Sequence, residues 1–246
     1  MKKLMSEPRT AAPVVFLDFD GTITRRDVTD VILESYADES WLEVERRWRA
    51  GEIGSRECLR AQMSLVRATR AQLEALVDTI EIDEGFAALL EACARRRLRV
   101  NVVSDGFDHF IRRILERPRL GLARLLRGVR VCASHLEFDS RGAMHLDFPY
   151  FRRPCEHGCA TCKPAVIELL NPERAPAVFV GDGLSDRYAA ACADLVFAKN
   201  SLAEYCRENE IGHVAYERLH EVAARLDSAL DSSEPAGAFD PLPATA

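Results

Sequence analysis

Three short apolar runs in this chain each stop at a residue that bears oxygen. Val14-Val15-Phe16-Leu17 stops at Asp18, Val100 to Val103 stops at Ser104, and Ala177 to Val180 stops at Gly181-Asp182. A run of about four apolar, β-rich residues without polar alternation predicts a strand buried on both faces of a parallel sheet. Further strands are expected at Val129–Ala133, Leu195–Ala198 and His213–Ala215, with helical periodicity between them. Strand–helix alternation predicts an α/β fold with a parallel sheet and right-handed crossovers. Ligands of such sheets sit beyond the carboxyl ends of the strands, where the oxygen-bearing residues fall.

The first strand is followed by about sixty residues of helical pattern. Val28–Tyr36, Trp41–Arg49 and Ser55–Val66 show three-to-four spacing of apolar residues. Thr69-Arg70-Ala71-Gln72 fits a capping box that opens a helix burying Leu73, Leu76, Val77 and Ile80. This is too long for a simple crossover. The expected organisation is a flexible N-terminus at 1–12, a core domain of 13–24 plus 82–228, an inserted helical cap at 25–81, and a disordered tail at 229–246. Helices are expected at Phe86–Arg96, Asp108–Arg117, Lys163–Leu170 and Glu217–Leu226. Leu136–Asp139, the turn Ser140-Arg141-Gly142 and Met144–Phe148 read as a small hairpin.

The chemistry gathers at the strand ends. Asp18 and Asp20 flank Phe19 and precede Gly21-Thr22. Two close carboxylates repel unless a proton or cation compensates, and Mg²⁺ combines carboxylates with waters and phosphate oxygens. An Asp-Gly turn ending a strand is the plainer alternative. Ser104-Asp105-Gly106 can present a hydroxyl and backbone N–H groups to an anion, or Ser104 can cap the next helix. Lys163 opens a helix, where its charge opposes the helix dipole, so propensity does not explain it. Gly181-Asp182-Gly183-Leu184-Ser185-Asp186 adds two more carboxylates.

Taken in order, Asp18-x-Asp-Gly-Thr, Ser104, Lys163 and Gly181-Asp-x3-Asp186 resemble the four motifs of the haloacid dehalogenase superfamily of phosphatases. The resemblance covers about 13–228 and implies a three-layer, Rossmann-like parallel sheet. It implies that Asp18 attacks phosphorus and Asp20 is the general acid and base. Ser104 and Lys163 hold the transferring group, and Gly21, Thr22, Asp105 and Gly106 line the phosphate site. Mg²⁺ is then held by Asp18, Asp182 and the backbone carbonyl of Asp20, with Asp186 on a metal-bound water or beside a ligand. A helical cap after the first motif resembles the group containing phosphoserine phosphatases. There the Arg that binds the substrate carboxylate corresponds to Gln62, and a Glu that meets the amino group corresponds to Asp27, with Arg56 a further cap candidate. Cys155-x3-Cys159-x2-Cys162-Lys163-Pro164 resembles the methionine-salvage phosphatases of 2-hydroxy-3-keto-5-methylthiopentenyl-1-phosphate. The implied activity is hydrolysis of a small phosphate ester of that kind. Phosphoserine hydrolysis, phosphotransfer and a non-catalytic binding module remain alternatives.

Cys155, His157, Cys159 and Cys162 also admit a structural Zn²⁺ with a distant fourth ligand such as Cys132 or His145, or reduced thiols shaping a loop. The 246 residues carry a net charge of −6, and the Arg-rich stretches lie in helical patterns, so no nucleic acid partner is expected. No apolar run approaches the ~20 residues that span a bilayer. Met1-Lys2-Lys3 leads into Ser6-Glu7-Pro8-Arg9 rather than an apolar segment. The expected protein is cytoplasmic, a monomer or homodimer, with no membrane partner.

Overall fold

The structure, a computed structural model, describes residues 11–153 and 155–231. Seven strands form one sheet: β1 (Val14–Leu17), β2 (Arg99–Phe107), β3 (Arg130–Phe138), β4 (Met144–Asp147), β5 (Ala177–Gly181), β6 (Leu195–Ala198) and β7 (Val214–Ala215). Their order is β4-β3-β2-β1-β5-β6-β7, parallel throughout except for the antiparallel edge strand β4. Val14–Leu17 pairs in register with Arg99–Val102 on one side and Ala177–Val180 on the other. Strand order therefore reverses direction around β1, which opens a crevice at its carboxyl end.

Alternate residues of each strand serve opposite faces. Val15, Leu17, Val178 and Val180 join one apolar cluster, and Val14, Phe16, Ala177 and Phe179 join the other. The first cluster is covered by α5 (Phe86–Arg95), α6 (Asp108–Leu115) and α10 (Leu219–Asp231), the second by α7 (Lys163–Leu170) and α9 (Asn200–Glu208). A short helix, α8 (Arg187–Ala190), follows β5. This is the three-layer α/β architecture expected from the strand pattern.

Between β1 and α5 lie α1 (Val28–Tyr36), α2 (Trp41–Arg49), α3 (Ser55–Leu65) and α4 (Arg70–Val77). The capping box forms as the sequence predicts: Thr69 Oγ1 accepts from Gln72 N, and the Gln72 side chain accepts from Thr69 N. A single bridge from Thr24 to Ile82 ties the ends of this stretch together, and another joins Ala37, just after α1, to Val66, just after α3. Val28, Ile32, Met63 and Leu73 merge into the first apolar cluster, so the helices share the core of the sheet.

Three boundaries differ most from expectation. β2 runs on to Phe107 because its register slips between Val103 and Phe107, letting Ser104-Asp105-Gly106 bulge without ending the strand. β3 reaches Phe138 and pairs with β4 as the first arm of the hairpin. α10 extends beyond Leu226 to Asp231 on a stripe of Leu219, Val222, Ala223 and Leu226. It takes in the first residues of the expected tail; the rest of that tail, and most of the expected flexible N-terminus, lie outside the described residues. No helix among the described residues is long and apolar enough to cross a membrane.

Candidate active site

A cleft of about 1120 Å³ opens at the carboxyl ends of β1, β2 and β5. Asp18, Asp20, Gly21, Ser104, Gly106 and Asp182 line its floor. The buried ammonium of Lys163, at the start of α7, approaches from below. Its Nζ donates to Asp18 Oδ1 at 2.7 Å and to Asp186 Oδ1 at 2.5 Å. Burial alone would lower the lysine pKa. The carboxylates of Asp18, Asp186 and Asp105 outweigh it and hold the amine protonated far above neutral pH.

Asp20 is set by two neighbouring elements. Its Oδ1 accepts from Val28 N, the first residue of α1, at 3.0 Å, and its Oδ2 accepts from Ser104 Oγ at 3.1 Å. Burial, then the nearby charge of Asp27, pushes its carboxyl up to about 8. A carboxylic acid that keeps its proton at neutral pH is equipped to donate it. Ser104 does not cap α6, whose N-cap is Phe107; its Oγ instead accepts from Gly106 N at 2.9 Å. Gly106 has no room for a side chain: a Cβ there would stand 2.3 Å from Asp20 Oδ2.

Asp182 Oδ1 accepts from Thr22 Oγ1 at 3.0 Å and its Oδ2 from Asn200 Nδ2 at 3.3 Å. Thr22 thus faces a carboxylate and does not line the cleft, contrary to its expected place on the phosphate. Asp186 is fully buried, with Oδ2 accepting from Asp182 N and Gly183 N, so it braces the loop and Lys163. Asp105 lines the cleft beside Ser55. Its Oδ1 accepts from Thr161 N at 2.8 Å and its carboxylate from the Ser55 hydroxyl, which places it between β2, α3 and the loop before α7. Burial outweighs these bonds and the pull of Lys163 and holds the Asp105 carboxyl above its ordinary range.

Among the described residues, Asp18, Asp182 and Asp186 form the one group of three or more possible metal ligands, each offering an atom within 4.8 Å of the others. Burial, then Asp186, pushes Asp182 up to about 6; burial, then Asp186, also raises Asp18. Lys163 alone, among the described residues, gives Asp18 and Asp186 an ammonium hydrogen bond. Closely set oxygen donors with too little positive charge fit a hard divalent cation such as Mg²⁺. Raised carboxyl pKa values make a stability prediction. The contributions of Asp20 and Asp182 are complete below about pH 4 and are lost as pH rises toward 8, because the folded state must then give up protons it holds better than the unfolded chain. Metal-free protein should therefore melt lower at pH 8 than at pH 5, and Mg²⁺ should raise the melting temperature more at pH 8. Equal Mg²⁺ shifts at both pH values would count against a carboxylate site.

Among the described residues the cysteines and His157 do not gather into a group of possible metal ligands. The His157 ring stacks on Tyr188 with centroids 3.9 Å apart at 12°. Burial opposes ionisation of Cys155, yet backbone N–H groups of Cys159, His157 and Gly158 outweigh it and hold the thiol below its usual range. Of the distant ligands considered, Cys132 bonds to Tyr150 and His145 to Asp139. All eight cysteines are free. Instead the loop docks on α3: Arg56 N donates to Gly158 O, and Ala160 N donates to Ser55 Oγ at 2.9 Å.

The upper wall of the cleft carries Asp27, Asp30, Glu45, Trp48, Arg49 and Gln62. Asp27 is the N-cap of α1 and accepts from Asp30 N at 3.0 Å. Gln62 spends its amide on Glu45 Oε2 at 3.1 Å, and Arg49 Nε donates to Glu45 Oε1 at 2.8 Å. Arg56, the further cap candidate, is not among the residues lining the cleft and lies over the Phe151 ring at 3.7 Å.

The family model of the haloacid dehalogenase-like hydrolases matches residues 15–191, most of the chain. The chain belongs to that family. Similar curated proteins include the 2-hydroxy-3-keto-5-methylthiopentenyl-1-phosphate phosphatases of Bacillus velezensis, 26% identical over 89% of this chain and 92% of the relative, and of Bacillus cereus, 28% identical over 88% and 97%. This hydrolase also shares its fold with a substrate-bound phosphoserine phosphatase, at TM-score 0.65 and 21% identity over 86% of this chain and 97% of that one. The phosphoserine phosphatase of T. onnurineus aligns at TM-score 0.63 and 16% identity, over 90% and 98%.

Proposed function

We propose that this hydrolase is a Mg²⁺-dependent phosphomonoesterase that cleaves a small phosphate ester through an aspartyl-phosphate. The observation that carries the reading is the meeting of Asp18, Asp20, Ser104 and Asp182 from three adjacent strands and the turns after them with Lys163 from the start of α7. Asp18 is the nucleophile: Lys163 holds its Oδ1, and among the described residues Oδ2 is unbonded. Attack on phosphorus forms the Asp18–phosphate bond while the ester oxygen leaves with the proton of Asp20. Asp20, now a carboxylate, takes a proton from the water that hydrolyses the acyl phosphate, and inorganic phosphate departs from the restored Asp18. Lys163 and the Ser104 hydroxyl balance charge on the phosphoryl oxygens. Mg²⁺, with Asp18, Asp182 and the Asp20 carbonyl as its ligands, supplies Lewis-acid charge neutralisation when bound. In this reading residues 25–81 are a cap over the core, and eight unbridged cysteines support a reducing compartment.

Asp20→Asn tests the acid–base role. Turnover of an alkyl phosphate should fall by about 10²- to 10⁴-fold. Loss on p-nitrophenyl phosphate should be markedly smaller, because its leaving group departs without a proton. Equal losses on the two esters would remove Asp20 from proton transfer.

Phosphoserine should be a poor substrate. Its carboxylate would meet Asp27, Asp30 and Glu45, while Arg49 and Gln62 are committed to Glu45. Arg56 and Arg60, the two arginines of α3, lie over Phe151 and Phe148. The check is kcat/KM against carboxylate-free esters, including the substrate named for the Bacillus relatives. Phosphoserine as the best substrate of that set would refute this reading of the wall.

A further inference from the structure

The loop that leads into α7 gathers thiols around a turn. Gly158, at φ +60, closes the turn by donating its N–H to Cys155 O at 3.4 Å. A backbone folded this tightly brings successive N–H groups round to one side, a geometry that receives negative charge. Here the atom on that side is a sulfur. Backbone N–H groups of His157, Gly158 and Cys159 donate to Cys155 Sγ, and the thiols of Cys159 and Cys162 donate to it as well. The three sulfurs do not all lie within metal-sharing distance of one another, so the cluster is two thiols aimed at a third. Five donors on one sulfur favour its thiolate, because a thiol has a proton of its own to place and a thiolate has none.

The turn is also fixed from outside. Arg56 N donates to Gly158 O, Ala160 N donates to Ser55 Oγ, and the His157 ring lies on Tyr188. The donors are therefore in place before any reaction. Cys155, Cys159 and Cys162 are partly exposed, whereas Cys58, Cys93, Cys132 and Cys206 are buried. The two flanking thiols differ in what surrounds them. Burial, then Asp105, pushes Cys159 up to about 12, so it keeps its proton. Burial raises Cys162 too, but this residue is the N-cap of α7, where the positive end of the helix favours a thiolate as it forms.

We infer that Cys155 is a site of reversible oxidation by hydroperoxides, with Cys162 as the thiol that captures the oxidised sulfur in a disulfide. The inference does not depend on the phosphatase reading. The Cys155 thiolate attacks one peroxide oxygen, the O–O bond breaks, and hydroxide leaves with the electron pair and takes a proton from solvent. Cys155 is then a sulfenic acid. The Cys162 sulfur attacks it, the S–O bond breaks, and the departing hydroxide leaves as water with the Cys162 proton. Each sulfur gives up one electron in the net reaction, and one peroxide becomes two waters. Transient bonds of this kind are the form disulfides take in a reducing compartment. This one closes residues 155–162 into a ring that ends one residue before Lys163.

Labelling decides whether Cys155 is the reactive thiol. Reduced full-length protein at pH 7 receives less than one equivalent of iodoacetamide, and the labelled peptides are measured by mass. Cys192 is the control, being the exposed cysteine, with a thiol that burial raises above its usual range. Cys155 should be labelled at least about tenfold ahead of Cys192. Cleavage after Glu156 separates Cys155 from Cys159 and Cys162. After one equivalent of hydrogen peroxide the two fragments should stay joined until dithiothreitol parts them. The bond should survive in Cys159→Ser. In Cys162→Ser it should be lost, leaving a Cys155 sulfenic acid that dimedone traps. Cys192 labelled ahead of Cys155, or fragments that peroxide does not join, overturns the inference. So does a bond that disappears in Cys159→Ser or persists in Cys162→Ser. Labelling order and peroxide joining are read on the wild-type chain, so they decide the matter even where a variant fails to fold.

Discussion

Asp18→Asn should yield a folded protein that no longer turns over phosphate esters. Asn keeps the size of Asp but offers no carboxylate oxygen to phosphorus, so no acyl phosphate forms. The expected loss in kcat is at least about a thousandfold, the scale on which removal of a nucleophile acts. Folding should survive, because Lys163 keeps Asp186 Oδ1 at 2.5 Å and one carboxylate leaves a crowded acidic group. Burial already holds the Asp18 carboxyl well above its ordinary range, so its replacement relieves metal-free protein rather than burdening it. The measurement is p-nitrophenyl phosphate turnover with Mg²⁺ beside a thermal melt. Retention of more than a few per cent of activity would exclude the covalent route.

Lys163→Met should have the largest effect on stability. The side chain is 2% exposed, and Met fills most of its volume while removing the ammonium. Asp18 and Asp186, both buried, then lose their shared cation. Breaking a buried pair by removing one partner costs about 3–5 kcal/mol. For a domain of this size that lowers the melting temperature by roughly 10 °C. The sign of its pH dependence is fixed. Without the ammonium the carboxyl pKa values rise further, so the deficit should be greatest near pH 8 and shrink toward pH 5 as the acids take up protons. A melting temperature within a degree or two of wild type at pH 8 would show that the acids find another cation. Activity should be lost as well, since in the proposed mechanism Lys163 holds Asp18 and balances charge on the transferring group.

Much of the floor of the site was legible in the sequence because strand ends are punctuated. Apolar runs that stop at Asp18, Ser104 and Asp182 fix both the sheet and what stands at its rim. The Thr69–Gln72 capping box was legible for the same reason, being local. What depends on side chains meeting across the fold was not. Ser104-Asp105-Gly106 reads equally as a helix cap or an anion loop until the bulge in β2 is seen. Thr22 looks like a phosphate ligand, but its hydroxyl has Asp182 closer. The thiols and His157 suggested zinc by spacing alone, whereas the imidazole is taken by Tyr188. Arg56 was assigned to the substrate from its position in the cap, and cation–π packing holds it elsewhere. The upper wall was missed in large part. Asp30, Glu45, Trp48 and Arg49 lie on α1 and α2, whose polar faces carry the same pattern as any solvated helix, and no periodicity marks which charges a cleft will enclose.

The meeting of Gly54 with Gly158 bears on how the cleft admits anything. A Cβ on Gly54 would fall 2.4 Å from Gly158 O, and Gly158 sits at φ +60. Two backbones touch there with no side chain between them. Swinging the helices α1–α4 away from the sheet must break Arg56 N to Gly158 O and Ser55 to Ala160, each worth about 0.5–1.5 kcal/mol. The loop that would be pulled leads within a few residues to Lys163. Strain at that backbone contact is thus passed, through one short piece of chain, to the lysine whose Nζ donates to Asp18 Oδ1.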